Sequence, residues 1–224
     1  MCIRDSFDLD DTLYKEIEYL KAAYRLIAHE VFGQSWEGFY FQMLRWYVAK
    51  EDVFEKVVEV APEWEKSDLL NMYRCGVHEL FLSKEVEKVL SVLKNSGTML
   101  GLITDGRSQT QRNKIEALKL GRFFNEDMII ISEELGSEKP SLVNYEYFMR
   151  KFPDCTDFSY VGDNPIKDFI APNILGWVSI CLMDSIAGTG ADLKSNIHSQ
   201  DLSSVRKEAL PKRVIFNLEE LINS

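Results

Sequence analysis

The chain predicts an α/β fold: a parallel sheet flanked by helices and interrupted, just after its first strand, by an inserted block of helices. Three observations carry that expectation. From Ser83 onward, short apolar runs alternate with amphipathic helical stretches, which is the pattern of a parallel sheet with right-handed crossovers. Residues Tyr14 to about Leu82 show helical periodicity only. Several apolar runs lead straight into polar turns rich in Asp, Thr and Gly, and ligands bind at that carboxyl edge of an open sheet.

The first strand should end just before Asp8. Its start is unusual, because a buried parallel strand reads as continuous Val, Ile and Leu. Met1-Cys2-Ile3-Arg4-Asp5-Ser6 does not read that way. The expectation is a short first strand that begins close to Phe7, or polar side chains that find solvent, together with a non-native, truncated or mis-joined start to the chain. In the block that follows, Ile17, Leu20, Tyr24, Ile27 and Val31 form one helical stripe, with Gly33 as its stop. Phe39, Met43, Trp46 and Tyr47 predict a second helix. Phe54, Val57 and Val58 predict a short third, and Leu69, Met72, Tyr73 and Leu80 a fourth.

Val86, Val89, Leu90 and Leu93 then lie on one helix closed by Gly97, and Met99 to Thr104 reads as a strand. Ser108-Gln109-Thr110-Gln111 has the form of a capping box opening a helix that ends near Gly121. Met128–Ser132 is an apolar strand, followed by a helix from Ser141 through Phe152. Phe158–Gly162 and Trp177–Leu182 are further strands. Pro172 should bend the intervening helix and remove one of its hydrogen bonds. Gly188 to about Lys212 reads mostly as loop, before a last apolar piece, Val214-Ile215-Phe216, and a terminal helix around Leu218–Ile222. The result is a Rossmann-like core of residues 1–14 and 83–224 with a helical insert of residues 15–82.

With 46% hydrophobic residues in 224, the chain has enough apolar surface for a sizeable core. Its net charge of -10 disfavours bulk attraction to nucleic acid or anionic lipid. A small anionic ligand is compatible with that charge, since one local cation can dominate. The four cysteines (Cys2, Cys75, Cys155, Cys181) form no C-x-x-C pair and read as reduced thiols of a cytoplasmic protein. His29, His78 and His198 have no zinc-site spacing. No apolar run reaches membrane-spanning length, and no signal peptide is visible.

Asp8-Leu9-Asp10-Asp11-Thr12 carries the strongest chemical signal. Carboxylates two residues apart point the same way from extended backbone, so Asp8 and Asp10 can converge at the end of the first strand. Taken alone, such a pair is more often an acidic turn or a helix cap. Three later segments change the balance: Leu102-Ile103-Thr104-Asp105-Gly106, Glu138-Lys139-Pro140, and Tyr160-Val161-Gly162-Asp163-Asn164-Pro165-Ile166-Lys167-Asp168. With these four motifs in this order, the chain resembles the haloacid dehalogenase superfamily, in its phosphatase branch with a helical cap of the C1 type. The resemblance runs from Phe7 nearly to the C-terminus.

The resemblance implies a Mg²⁺-dependent phosphohydrolase acting on a small phosphorylated metabolite. In it Asp8 would be the nucleophile that forms an aspartyl-phosphate, and Asp10 the general acid and then base. Thr104 and the backbone N–H groups of Asp105 and Gly106 would hold the phosphoryl oxygens, and Lys139 would neutralise the remaining charge and could pair with Asp8. Asp8, the Asp10 backbone carbonyl and Asp163 would hold the metal, with Asp168 a supporting partner or occasional ligand. A cation is needed: two like unit charges at ~4 Å cost about 4 kcal/mol even at an effective dielectric near 20.

The dehalogenase branch lacks an acid like Asp10, which favours phosphoryl transfer. A phosphonatase would need a reactive cap lysine; Lys15, Lys21, Lys50, Lys56 and Lys66 read instead as solvated. A phosphomutase shares all four motifs and stays open. So does a catalytically impaired phosphate- or partner-binding member, because the altered first strand could misplace Asp8. Monomer and homodimer are both compatible, and the substrate cannot be read from the cap's sequence.

Overall fold

The computed structural model describes residues 4–76, 79–183 and 202–223. Cys2, His78, His198 and much of the expected 188–212 loop lie outside them. In chain order the elements are β1 (Arg4–Phe7), α1 (Glu16–Phe32), α2 (Trp36–Val48), α3 (Val53–Val60), α4 (Lys66–Cys75), α5 (Lys84–Asn95), β2 (Met99–Thr104) and α6 (Ser108–Ala117). There follow β3 (Ile129–Ile131), α7 (Ser132–Leu135), α8 (Val143–Lys151), β4 (Phe158–Gly162), α9 (Pro165–Asp168), α10 (Ile170–Ile174), β5 (Val178–Leu182) and β6 (Arg213–Ile215).

The strands form one parallel sheet in the order β3-β2-β1-β4-β5-β6. The order reverses at β1, which lies between β2 and β4, and such a switch point opens a crevice at the strands' carboxyl ends. Phe7, Leu102 and Val161 pack one face against α5 and α6, through Val89, Leu90 and Ile115. Ile103, Tyr160 and Cys181 pack the other against α8 and Trp177. Helices α1–α4 enclose a separate apolar cluster built on Tyr24, Ile27, Met43, Val57 and Leu69. The expected stripe of α1 is buried at Ile17, Leu20, Tyr24 and Ile27, and Gly33 ends the helix at φ 51°. Among the described residues no helix is long and apolar enough to cross a membrane.

Several expectations need correction. The first strand begins at Arg4, not near Phe7, and every residue from Arg4 to Phe7 pairs with both β2 and β4. Asp5 and Ser6 are accommodated individually. The half-buried Asp5 carboxylate accepts from the Ser159 hydroxyl across the β1–β4 ladder, and burial pushes its pKa up. Ser6 is small enough to sit beside Gly101, where an added Cβ would lie 2.7 Å from Ser6 Oγ and 2.9 Å from the Phe148 ring.

The capping box at Ser108–Gln111 does not form. Arg107 is the N-cap residue, Ser108 Oγ donates to Glu134, and Gln111 turns inward. The helix ends at Ala117, well before Gly121. Pro172 causes no lost bond, because the chain already breaks at Phe169 and Pro172 falls in the first turn of α10, where N–H groups have no helical partner. Two short 3-10 turns, Leu202–Ser204 and Lys207–Ala209, occupy part of the expected loop. The terminal helix is a 3-10 turn, Leu218–Leu221.

Candidate active site

The carboxyl ends of β1, β2 and β4 deliver the functional side chains to one place. Asp8 directly follows β1 and its N–H donates to the Val161 carbonyl, so the ladder to β4 continues one residue past the strand. Its Oδ1 accepts from the Leu9 N–H at 2.8 Å and lies 2.8 Å from Lys139 Nζ. Lys139 Nζ also sits 2.8 Å from Asp168 Oδ1 and donates to the Tyr160 hydroxyl at 3.1 Å. The Asp168 carboxylate, fully buried, accepts from the Asn164 N–H on its other oxygen at 2.9 Å. Gly162 leaves room for it: a Cβ there would lie 2.4 Å from Asp168 Oδ2.

Carboxylate oxygens of Asp8, Asp163 and Asp168 all lie within 4.8 Å of one another. Such a purely oxygen donor set suits a hard divalent cation. The electrostatics point the same way. Burial pushes the Asp8 carboxyl up to about 7, against the pull of Lys139 and with the help of Asp168. Burial, then Asp168 and Asp8, push Asp163 up to about 8. Burial works against the Lys139 ammonium, but Asp168 and Asp8 outweigh it and hold it protonated well above the ordinary lysine range.

This sets a pH dependence. Both carboxyls titrate above their ordinary 3.8, so between about pH 4 and about pH 8 the folded protein binds more protons than the unfolded chain. Stability without metal therefore falls as pH rises through that window. The metal-free protein should melt higher at about pH 5 than at about pH 8, and Asp163→Asn should narrow the gap. A melting temperature that rises over this range would overturn the charge assignment.

Asp10 stands apart from that cluster. Its carboxylate accepts from Lys114, Tyr14 and Gln111. Asp11, at φ 55°, accepts from the Glu16 N–H at the start of α1. On β2, the buried Thr104 hydroxyl accepts from the Gln111 amide. The Asp105 carboxylate accepts from the Lys139 N–H at 3.0 Å, which ties the loop after β2 to the lysine. The Gly106 N–H is donated to Ser132 Oγ at 2.9 Å.

Sequence reasoning missed Gln111, Lys114, Tyr14 and Tyr160 as neighbours of the site. A usable signal existed for two of them: Gln111 and Lys114 are three apart, on the same helix face as the apolar Ile115 and Leu118.

Residues 6–180 match the family model for haloacid dehalogenase-like hydrolases. The chain belongs to that family. This hydrolase is 26% identical, over 200 residues, to the glyceraldehyde 3-phosphate phosphatase of Methanocaldococcus jannaschii, covering 79% of this chain and 83% of that one. The phosphatase of the same name from Methanothermobacter thermautotrophicus is 25% identical, with 96% of each chain covered. Among solved structures, the hydrolase shares its fold with the HAD-hydrolase YfnB of Bacillus subtilis, itself crystallised bound to magnesium. The TM-score is 0.64 at 20% identity, with 100% of this chain and 98% of the other covered.

Proposed function

We propose that this hydrolase is a Mg²⁺-dependent phosphatase that cleaves a small phosphate monoester through a phosphoryl group carried on Asp8. One observation carries the reading: Asp8, buried at the end of the central strand, is met by Lys139 while Asp163 and Asp168 place two further carboxylates beside it. Relatives named as phosphatases of a three-carbon phosphate support a small phosphorylated substrate.

Among the described residues both contacts to the Asp8 carboxylate fall on Oδ1, which leaves Oδ2 to attack phosphorus. As the ester P–O bond breaks, Asp10 gives a proton to the leaving oxygen. Asp10, now a carboxylate, takes a proton from the water that attacks the aspartyl-phosphate, so that Asp8 is regenerated and inorganic phosphate departs. Thr104 Oγ1 and the Asp105 N–H hold the transferring oxygens, and Lys139 balances their charge. Mg²⁺, held by Asp8 and Asp163 with Asp168 close by, would supply the positive charge that lets a phosphate dianion approach these carboxylates.

The helical insert, residues 15–82, is the proposed selectivity element. A cavity of about 430 Å³ lies where α4 faces the start of α6, lined by Ser67, Asn71 and Arg74 on one side and Arg107, Gln109 and Thr110 on the other. Arg107 directly follows the loop Thr104-Asp105-Gly106, so the part of the substrate remote from phosphorus would meet the insert there.

Hydrolysis of p-nitrophenyl phosphate should stop in excess chelator and return with Mg²⁺; full activity in chelator would sink the metal assignment. Over a panel of sugar phosphates, nucleotides and phospho-acids, Arg74→Ala should reorder the preferred substrates and leave the metal requirement unchanged. An unchanged ranking would remove the insert from substrate choice.

A further inference from the structure

Asp10 is held by more groups than acid–base chemistry requires. Its Oδ1 accepts from Lys114 Nζ at 2.7 Å and from the Tyr14 hydroxyl at 2.5 Å. Its Oδ2 accepts from Lys114 Nζ at 2.9 Å and from Gln111 Nε2 at 3.0 Å. Lys114 and Gln111 are 3% and 1% exposed, an uncommon place for a lysine and a glutamine, on the same buried face of α6 as Ile115. The Gln111 amide also reaches Thr104 Oγ1 and the Asp105 carbonyl, so one side chain bridges Asp10 and the loop after β2.

Lys114 extends the connection toward the insert. Its ammonium lies 4.9 Å from the Tyr19 ring centre, 5.9 Å from that of Tyr14, and 3.7 Å from Glu16 Oε1. Those three residues form the entry and first turn of α1. Among the described residues, neither Lys114 nor Gln111 makes a hydrogen bond or ion pair to Asp8, Asp163 or Asp168.

We propose that Lys114 and Gln111, one turn of α6, are the positioning pair for Asp10: they fix the direction of its carboxylate and tie it to the first helix of the insert. The proposal rests on Asp10 being the acid and base of the reaction. A carboxylate on a short side chain can take several orientations, and an ammonium gripping both oxygens with two further donors selects one. Proton transfer demands an approach of about 2.6–3.2 Å, so a carboxylate free to turn would meet the leaving oxygen only part of the time. Lys114 acts through Asp10 and does not itself touch the substrate.

The leaving group provides the discriminating test. An aryl phosphate such as p-nitrophenyl phosphate expels its oxygen without a proton, whereas an alkyl phosphate such as glycerol phosphate needs one. Lys114→Met keeps the apolar stem between Tyr14 and Tyr19 and removes the charge. It should lower kcat/KM, which reports only the steps through release of the leaving group, by about 10²-fold on the alkyl ester and only a few-fold on the aryl ester; kcat on both esters should also fall through the shared hydrolysis of the aspartyl-phosphate. Asp10→Asn should show the same selectivity, and the double variant should be no worse than Asp10→Asn alone.

Equal losses of kcat/KM on both esters, or none on either, would overturn the positioning role. An Asp10→Asn variant without selectivity would instead overturn the role of Asp10. Should Lys114→Met fail to fold, Gln111→Met is read by the same alkyl-to-aryl ratio, and an unchanged ratio counts against the proposal.

Discussion

Asp8→Asn is expected to reduce kcat by on the order of 10⁴-fold or more, the scale seen when a nucleophile is removed and only binding and electrostatic groups remain. The amide matches the carboxylate in shape but cannot form the acyl phosphate. The fold should survive, because Lys139 keeps Asp168 as an ionic partner at 2.8 Å and the Asp8 N–H still donates to Val161. Beryllium fluoride, which mimics a phosphorylated aspartate, should stabilise the wild type against heating and leave Asp8→Asn unchanged. Turnover near the wild-type rate in Asp8→Asn would rule out the covalent route.

Lys139→Ala should damage both stability and activity. Its Nζ is the shared cation of Asp8 and Asp168, and its side chain is 3% exposed. Removing it leaves two buried carboxylates facing each other without compensation, a loss of about 3–5 kcal/mol by analogy with other broken buried pairs. The variant can offset part of that by protonating one carboxyl, so its deficit should grow with pH. Urea melts at several pH values would show this, and added Mg²⁺ should recover part of the loss at the alkaline end. A stability within about 1 kcal/mol of the wild type at every pH would mean that the lysine is not the counter-charge.

Much of this molecule was legible in the sequence because parallel strands and amphipathic helices leave periodic marks. Met99–Thr104 and Phe158–Gly162 carry predominantly apolar character up to their polar turns, and both strands have those bounds. β1 was harder to read. Its residues are polar, and whether a strand tolerates Asp5 depends on a hydroxyl contributed by Ser159, more than a hundred residues away along the chain. The surroundings of Asp10 were hidden for a similar reason. Gln111 fits a capping pattern locally, and only the packing of α6 against the loop after β1 shows that its amide is used elsewhere. Local pattern reports the element; the partners of a buried polar group are set by tertiary contacts that no window of sequence contains.

The central place of β1 has a consequence for the order in which the molecule can be assembled. Both neighbours of that strand lie far downstream, β2 beyond the whole helical insert and β4 beyond β3 and α8. A ribosome releases Asp8 long before the carbonyl of Val161 that fixes its backbone. Helices α1–α4 pack on one another through contacts close in sequence, whereas closing β1 against β4 carries the entropic cost of a long loop. A nascent chain can thus hold a folded insert while its nucleophile still hangs on a strand not yet paired with β4, and any chain that stops short of Phe158 lacks both the β4 ladder that sets Asp8 and the acids Asp163 and Asp168 that face it.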